Sequence, residues 1–210
     1  LAQFGEDKTK PLPSELYGVR FLPGSPEVET KRLLDSVQPI LSLMRKDPAI
    51  KVDLTHVFTD ADMDRFAEVT TPDAGACRDL VSRLRRERDE LIGRRDRLAI
   101  ELRTDYALGV QTNRAAKHGE LADMDAELAL LEESLDGMLE FLRPDGERRA
   151  DRRIRAAALM VAEERLETVR LAIRDLAIQS IGERIRVRRA RMSEKVEEGA
   201  GSSVYVLPWR

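Results

Sequence analysis

The sequence predicts an all-α protein: an elongated antiparallel helical hairpin or coiled coil, with a small helical N-terminal region and extended N- and C-terminal arms. Three observations carry that expectation. Charged residues make up 36% of the 210 residues and aromatic residues only 4%, whereas an average domain is about 25% charged. The excess suits long exposed helices with a narrow apolar seam, and the scarcity of aromatics argues against a sandwich or barrel. Second, Leu121, Met124, Leu128, Leu131, Leu135, Met138 and Leu142 alternate steps of three and four, the seam of a helix that packs on a partner helix. Third, Arg143-Pro144-Asp145-Gly146 is a turn, because Pro144 forbids continuation and Asp145 can cap the next helix.

The N-terminal residues 1–25 read as an extended arm. Pro11, Pro13, Pro23 and Pro26 with Gly18 and Gly24 leave no room for a helix. Yet Phe4, Leu12, Leu16, Tyr17, Val19, Phe21 and Leu22 are more apolar than a disordered linker, so the arm is expected to wrap a surface. Residues 26–70 read as a small helical head. Ser25-Pro26 has the chemistry of a helix start, Pro39 should kink or split that helix, and Asp47-Pro48 ends it. The stretch "IKVDLTHVF" alternates like a strand. With no second strand expected in the chain, it reads as an extended connection or as a strand added to a partner. Thr59 is placed to cap a short helix through about Val69.

Residues 71–198 read as the long hairpin. Thr71-Pro72-Asp73 opens it, and Cys77, Leu84, Leu91 and Leu98 recur every seven residues. Gly109 and Gly119 each cost about 1 kcal/mol against alanine inside a helix, so a kink or short break is expected at 109–119. After the turn at 143–146, one last helix is expected from about Glu147 to about Glu198. Its first seam, Leu159, Ala162, Leu166, Val169, Ile173 and Leu176, would pair with 121–142. A second seam, Ile178, Ile181, Ile185, Met192 and Val196, would need another cover. Residues 199–210 read as a flexible hinge, "GAGSS", and an apolar docking tail, "VYVLPWR".

Composition also restricts function. Lysine plus arginine is 36 against 39 aspartate plus glutamate, a net charge of −3, which does not favour a dedicated nucleic-acid binder. The run "ERIRVRRARM" is the exception. Arg184, Arg186, Arg188, Arg189 and Arg191 read first as a solvated helix end, and otherwise as a contact for RNA or an acidic lipid surface. One cysteine, Cys77, excludes an internal disulfide and a thiolate cluster, and its heptad position suits packing. No phosphate loop or paired-histidine metal motif is present. His56 and His118 lack local catalytic partners. Asp60, Asp62 and Asp64 resemble a fragment of a calcium loop without its later glycine and glutamate, so helix capping explains them better. No catalytic, cofactor-binding or metal-ligating residue is assigned, no cofactor is expected, and no run is long enough to span a membrane.

The expected function is therefore non-catalytic: a structural or accessory subunit that braces a large multiprotein assembly. Its partners would be protein subunits, met through Tyr17, Phe21, Ile178, Ile181, Ile185, Tyr205, Leu207 and Trp209, the apolar residues outside the hairpin seam. The proportions favour a membrane-associated energy-converting complex such as a mitochondrial respiratory complex or ATP synthase. The start at Leu1 is compatible with a removed targeting peptide or with trimming. The alternatives are a structural component of a bacterial secretion system or phage particle, and, third, a ribosome-associated protein.

Overall fold

A computed structural model describes residues 17–68, 71–111, 113–176, 185–188 and 204–209. The chain is mostly helical and carries one small sheet. Its elements are β1 (Tyr17–Val19), α1 (Thr30–Lys46), β2 (Lys51–His56), α2 (Asp60–Glu68), α3 (Ala74–Ala107), α4 (Arg114–Phe141), a short 3-10 turn (Gly146–Arg148), α5 (Ala150–Leu176), β3 (Ile185–Arg188) and β4 (Val204–Trp209).

The strands are ordered β1-β4-β2-β3. β4 runs antiparallel to both β1 and β2, with Val206 opposite Tyr17 on one side and Leu54 on the other. β3 lies parallel to β2, with Val187 opposite Leu54. The alternation of "IKVDLTHVF" therefore finds partners inside the chain. The docking tail is likewise corrected: residues 204–209 lie within the sheet, between β1 and β2, and Val204 and Val206 are buried. Residues 204–206 pair on both sides and 207–209 with β2 alone, and burial of alternate valines holds the segment in its own chain. Pro208 is tolerated because β1 pairs only with 204–206, leaving the proline beside β2 alone. The N-terminal arm is corrected similarly where it is described, since 17–19 is an edge strand.

α1 and α5 pack against the sheet. Leu33, Val37, Ile40, Leu41 and Met44 of α1 and Leu166, Val169 and Ile173 of α5 share a core with Val19, Val52, Leu54, Val187, Val204 and Val206. α1 starts at Thr30 rather than at Pro26. Ser25 instead accepts the Glu27 N–H at 3.1 Å, which stabilises a turn before the helix. Pro39 lies inside α1, which continues through it.

Between α2 and α5 the chain makes a long helical excursion. The break expected at 109–119 is a full reversal at 108–113. Gly109 and Asn113 adopt left-handed φ values of 68° and 66°, and α4 returns antiparallel to α3. Contacts descend α3 as they climb α4: Asp105 with Lys117, Arg95 with Asp125, Cys77 with Met138. Cys77, Leu80, Val81 and Leu84 thus bury against Leu131, Leu135, Met138 and Phe141, and against Ala156, Leu159 and Met160 of α5. The chain reverses again after Phe141. Gly146 is required there, since a Cβ would strike the carbonyls of Glu140 and Phe141.

The expected single helix from 147 to 198 is overturned. α5 ends at Leu176, and 185–188 is a strand. Ile178, Ile181, Met192 and Val196 lie outside the described residues. The seam of α5 also has a different partner for part of its length: Leu166, Val169 and Ile173 pack on the sheet and α1, not on α4. Five consecutive buried residues, Ala156 to Met160, show why one partner does not suffice. A helix buried on successive positions is surrounded. α5 contributes to all three apolar clusters, the third being Ala157, Ala158 and Ala162 under Phe58 and Phe66.

Candidate functional site

The strongest concentration of buried charge lies where α5, α2 and the loop after β1 meet. Arg165 and Asp62 have 0% and 1% of their side chains exposed. Arg165 Nη2 donates to Asp62 Oδ1 at 2.7 Å and Nη1 to Oδ2 at 3.1 Å. Nε donates to the Ser25 carbonyl at 2.9 Å and Nη2 to the Leu22 carbonyl at 2.8 Å.

Asp62 is positioned by local chemistry. The Thr59 hydroxyl accepts the Asp62 N–H at 3.2 Å and donates to Asp62 Oδ2 at 2.8 Å, and Oδ2 also accepts the Thr59 N–H at 3.0 Å. That reciprocal exchange is a capping box with aspartate in the usual glutamate place. Oδ1 further accepts the Gly24 N–H at 2.8 Å. Gly24 has φ of 67°, and a Cβ there would lie 2.6 Å from that of Arg65, so the loop needs glycine to come this close. Burial pushes the Asp62 carboxyl up, but the bonds from Arg165, Gly24 and Thr59 outweigh it and hold the group down at about 2.

His56, at the end of β2, completes the cluster. Its Nε2 stands 3.5 Å from Arg165 Nη1, and its ring meets Phe58 edge-on at 4.6 Å. A guanidinium only donates, so Nε2 must accept and Nδ1 carries the proton. Nδ1 has no partner among the described residues. Burial first, then the charge of Arg165, lowers the imidazole to about 3, so the ring is neutral at pH 7. With the carboxylate and guanidinium sealed and bonded inside the chain, this arrangement is a clamp. It ties the loop after β1, the β2–α2 turn and α5 together, and it presents no reactive atom to solvent.

Two other places have the residues of a candidate site. Cys77 is buried, and burial raises its thiol to about 11, which suits packing and not nucleophilic attack. A cleft of about 570 Å³ between α3, α5 and β3 is lined by Arg94, Arg97, Arg170 and Arg174 together with Glu87, Asp89, Glu90 and Glu127. Balanced charge gives that wall no preference for a cation or an anion. Among the described residues no group of three His, Cys, Asp or Glu is disposed to hold a metal ion, and no helix is long and apolar enough to cross a membrane.

The residues assigned to partner binding from sequence fall mainly in the sheet. Tyr17 is in β1, Ile185 in β3, and Tyr205, Leu207 and Trp209 are in β4. Ile185 packs half-buried against the sheet core, Tyr205 and Leu207 are half-buried, and Phe21 is buried under the Arg165 guanidinium, 5.3 Å from its ring centre. Ile178 and Ile181 lie outside the described residues, as do Arg184, Arg189 and Arg191. Arg186 and Arg188 are in β3 and not on a helix end. Reasoning from sequence misses Arg165. The available signal is an arginine between the buried Ala162 and Leu166, on the inner face of α5.

Comparison of the chain with protein-family models, with curated proteins and with solved structures finds no match.

Proposed function

We propose that the protein is a non-catalytic structural subunit of a larger assembly. In this reading the sheet, α1 and α2 form a rigid mount, and the α3–α4 hairpin, supercoiled along its three-and-four seam, is the brace it holds. The observation that supports it is the role of α5. One helix supplies Leu166, Val169 and Ile173 to the sheet core and Ala156, Leu159 and Met160 to the hairpin core. Tight packing makes such a shared helix a stiff link, since cores tolerate little change of volume or angle. The Arg165–Asp62 clamp fixes α5 on the mount side.

A membrane-associated energy-converting complex is the assembly favoured by the proportions of the chain, and a mitochondrial location belongs to that proposal. The test is native electrophoresis and mass spectrometry of the tagged full-length chain from its own cells, with and without the chain. The reading predicts a fixed stoichiometry in one complex that loses integrity when the chain is removed. A chain that migrates alone, with every large complex intact in its absence, would overturn it.

A further inference from the structure

The closed end of the hairpin has an unusual surface. Ile100, Tyr106, Leu108 and Val110 are four of the seven large apolar side chains exposed among the described residues. Leu108 is 73% exposed, Ile100 60% and Tyr106 54%. The Tyr106 hydroxyl stands 3.0 Å from His118 Nε2 across the reversal, but the side chains of Ile100, Leu108 and Val110 do not turn the chain. Gly109 and Asn113 do that, through their left-handed backbone, and none of the described residues lies near where a Gly109 side chain would sit.

The surroundings are cationic. At the closed tip, residues 103–118, Arg103, Arg114 and Lys117 stand against Asp105 alone, with Glu101 and Glu120 at its edge, in a chain with 36 basic residues against 39 acids overall. Two of those acids are already occupied: Lys117 Nζ reaches Asp105 Oδ2 at 2.8 Å and Glu101 Oε2 at 3.4 Å. The Arg114 guanidinium lies 4.3 Å from the centre of the Tyr106 ring and donates to the Asp105 carbonyl at 2.8 Å, while its Nε has no partner among the described residues. Arg103 is exposed on the same helical turn as Tyr106.

We propose that this end is a peripheral contact for an anionic lipid surface. Leu108, Val110 and Tyr106 enter the headgroup region, Ile100 lies about 10 Å further down the helix at its margin, and Arg103 and Arg114 meet the phosphates. Size and charge favour lipid over protein. A stable protein interface takes about 800 Å² from each partner, more than a single helical reversal presents. A lipid interface needs only a few apolar side chains, an amphipathic ring and neighbouring cations. The contact goes beyond the structural reading, which names no lipid.

Flotation of the purified full-length chain with vesicles tests it. The chain should rise with phosphatidylcholine vesicles containing phosphatidylserine, stay down with phosphatidylcholine alone, and release as salt increases. The double variant Leu108→Glu, Val110→Glu should lose at least about tenfold in binding while melting like the parent, because both side chains already face water. Arg103→Glu with Arg114→Glu should lose a similar factor. Leu34→Glu, on the exposed side of α1, should bind as the parent does. A parent chain that ignores anionic vesicles overturns the proposal, as does undiminished binding by the Leu108→Glu, Val110→Glu variant. So does a variant that keeps vesicle binding and loses only a co-purifying protein.

Discussion

Arg165 and Asp62, 103 residues apart, form a two-armed ion pair sealed inside the head, with oxygen–nitrogen distances of 2.7 and 3.1 Å. Removing one member of such a pair strands the other charge. Asp62→Ala is expected to cost about 3–5 kcal/mol, measured by urea unfolding. Arg165→Lys should rescue little, because an ammonium cannot place two parallel bonds on Asp62 and also reach the Leu22 and Ser25 carbonyls. A variant as stable as the parent would mean the clamp is dispensable.

His56 sets a pH dependence. Its folded value of about 3 lies below the ordinary 6.5, so the unfolded chain binds the proton more readily. Stability from this group is complete above pH 6.5 and is lost as pH falls toward 3, by on the order of 3–5 kcal/mol. Asp62, held at about 2 against an ordinary 3.8, loses its contribution lower still, between those values. Stability measured from pH 7 to 4 should therefore fall with a slope that His56→Gln flattens. Identical slopes would contradict the neutral buried imidazole.

The C-terminal strand makes a prediction opposite to the one that composition suggests. Deleting residues 204–210 removes the only described partner of β1 and one of the two partners of β2. The sheet core also loses Val204 and Val206, both fully buried, at about 1.5–3 kcal/mol for each large apolar side chain. Thermal melting followed by circular dichroism should show a large drop in Tm. A truncated chain that melts like the parent would return the segment to the role of a free docking tail.

Leu131 tests the hairpin. It is fully buried among α3, α4 and α5. Leu131→Ala is expected to cost about 2–5 kcal/mol, and Leu131→Asp more, because it also buries a carboxylate. Both should lower the same unfolding transition that Asp62→Ala lowers, since α5 joins the two cores.

Helices are legible where spacing alone decides them. Thr59, Asp73 and the leucines of 121–142 mark their elements by local chemistry; the structure places side-chain caps at the first two and, of the seam, buries Leu131, Leu135 and Met138. The sheet is not legible, for a physical reason. β2 pairs with β3 and β4 across more than 120 residues of intervening chain, and long-range pairing leaves no mark in a local window. "GERIRVRRARM" also reads as helix by propensity, because arginine and glutamate are good helix formers. Tertiary pairing overrides that at 185–188. The clamp is half visible: Asp62 reads as a capping carboxylate, but its partner lies on another helix, and no spacing rule links the two.

The central claim is that the head holds the hairpin at a fixed angle. Double electron–electron resonance between spin labels at Lys31→Cys on α1 and Gln111→Cys at the hairpin end, in a Cys77→Ser background, tests it most directly. The account predicts one narrow distance distribution. A broad or two-peaked distribution would mean that the hairpin swings on α5, and it would contradict the claim.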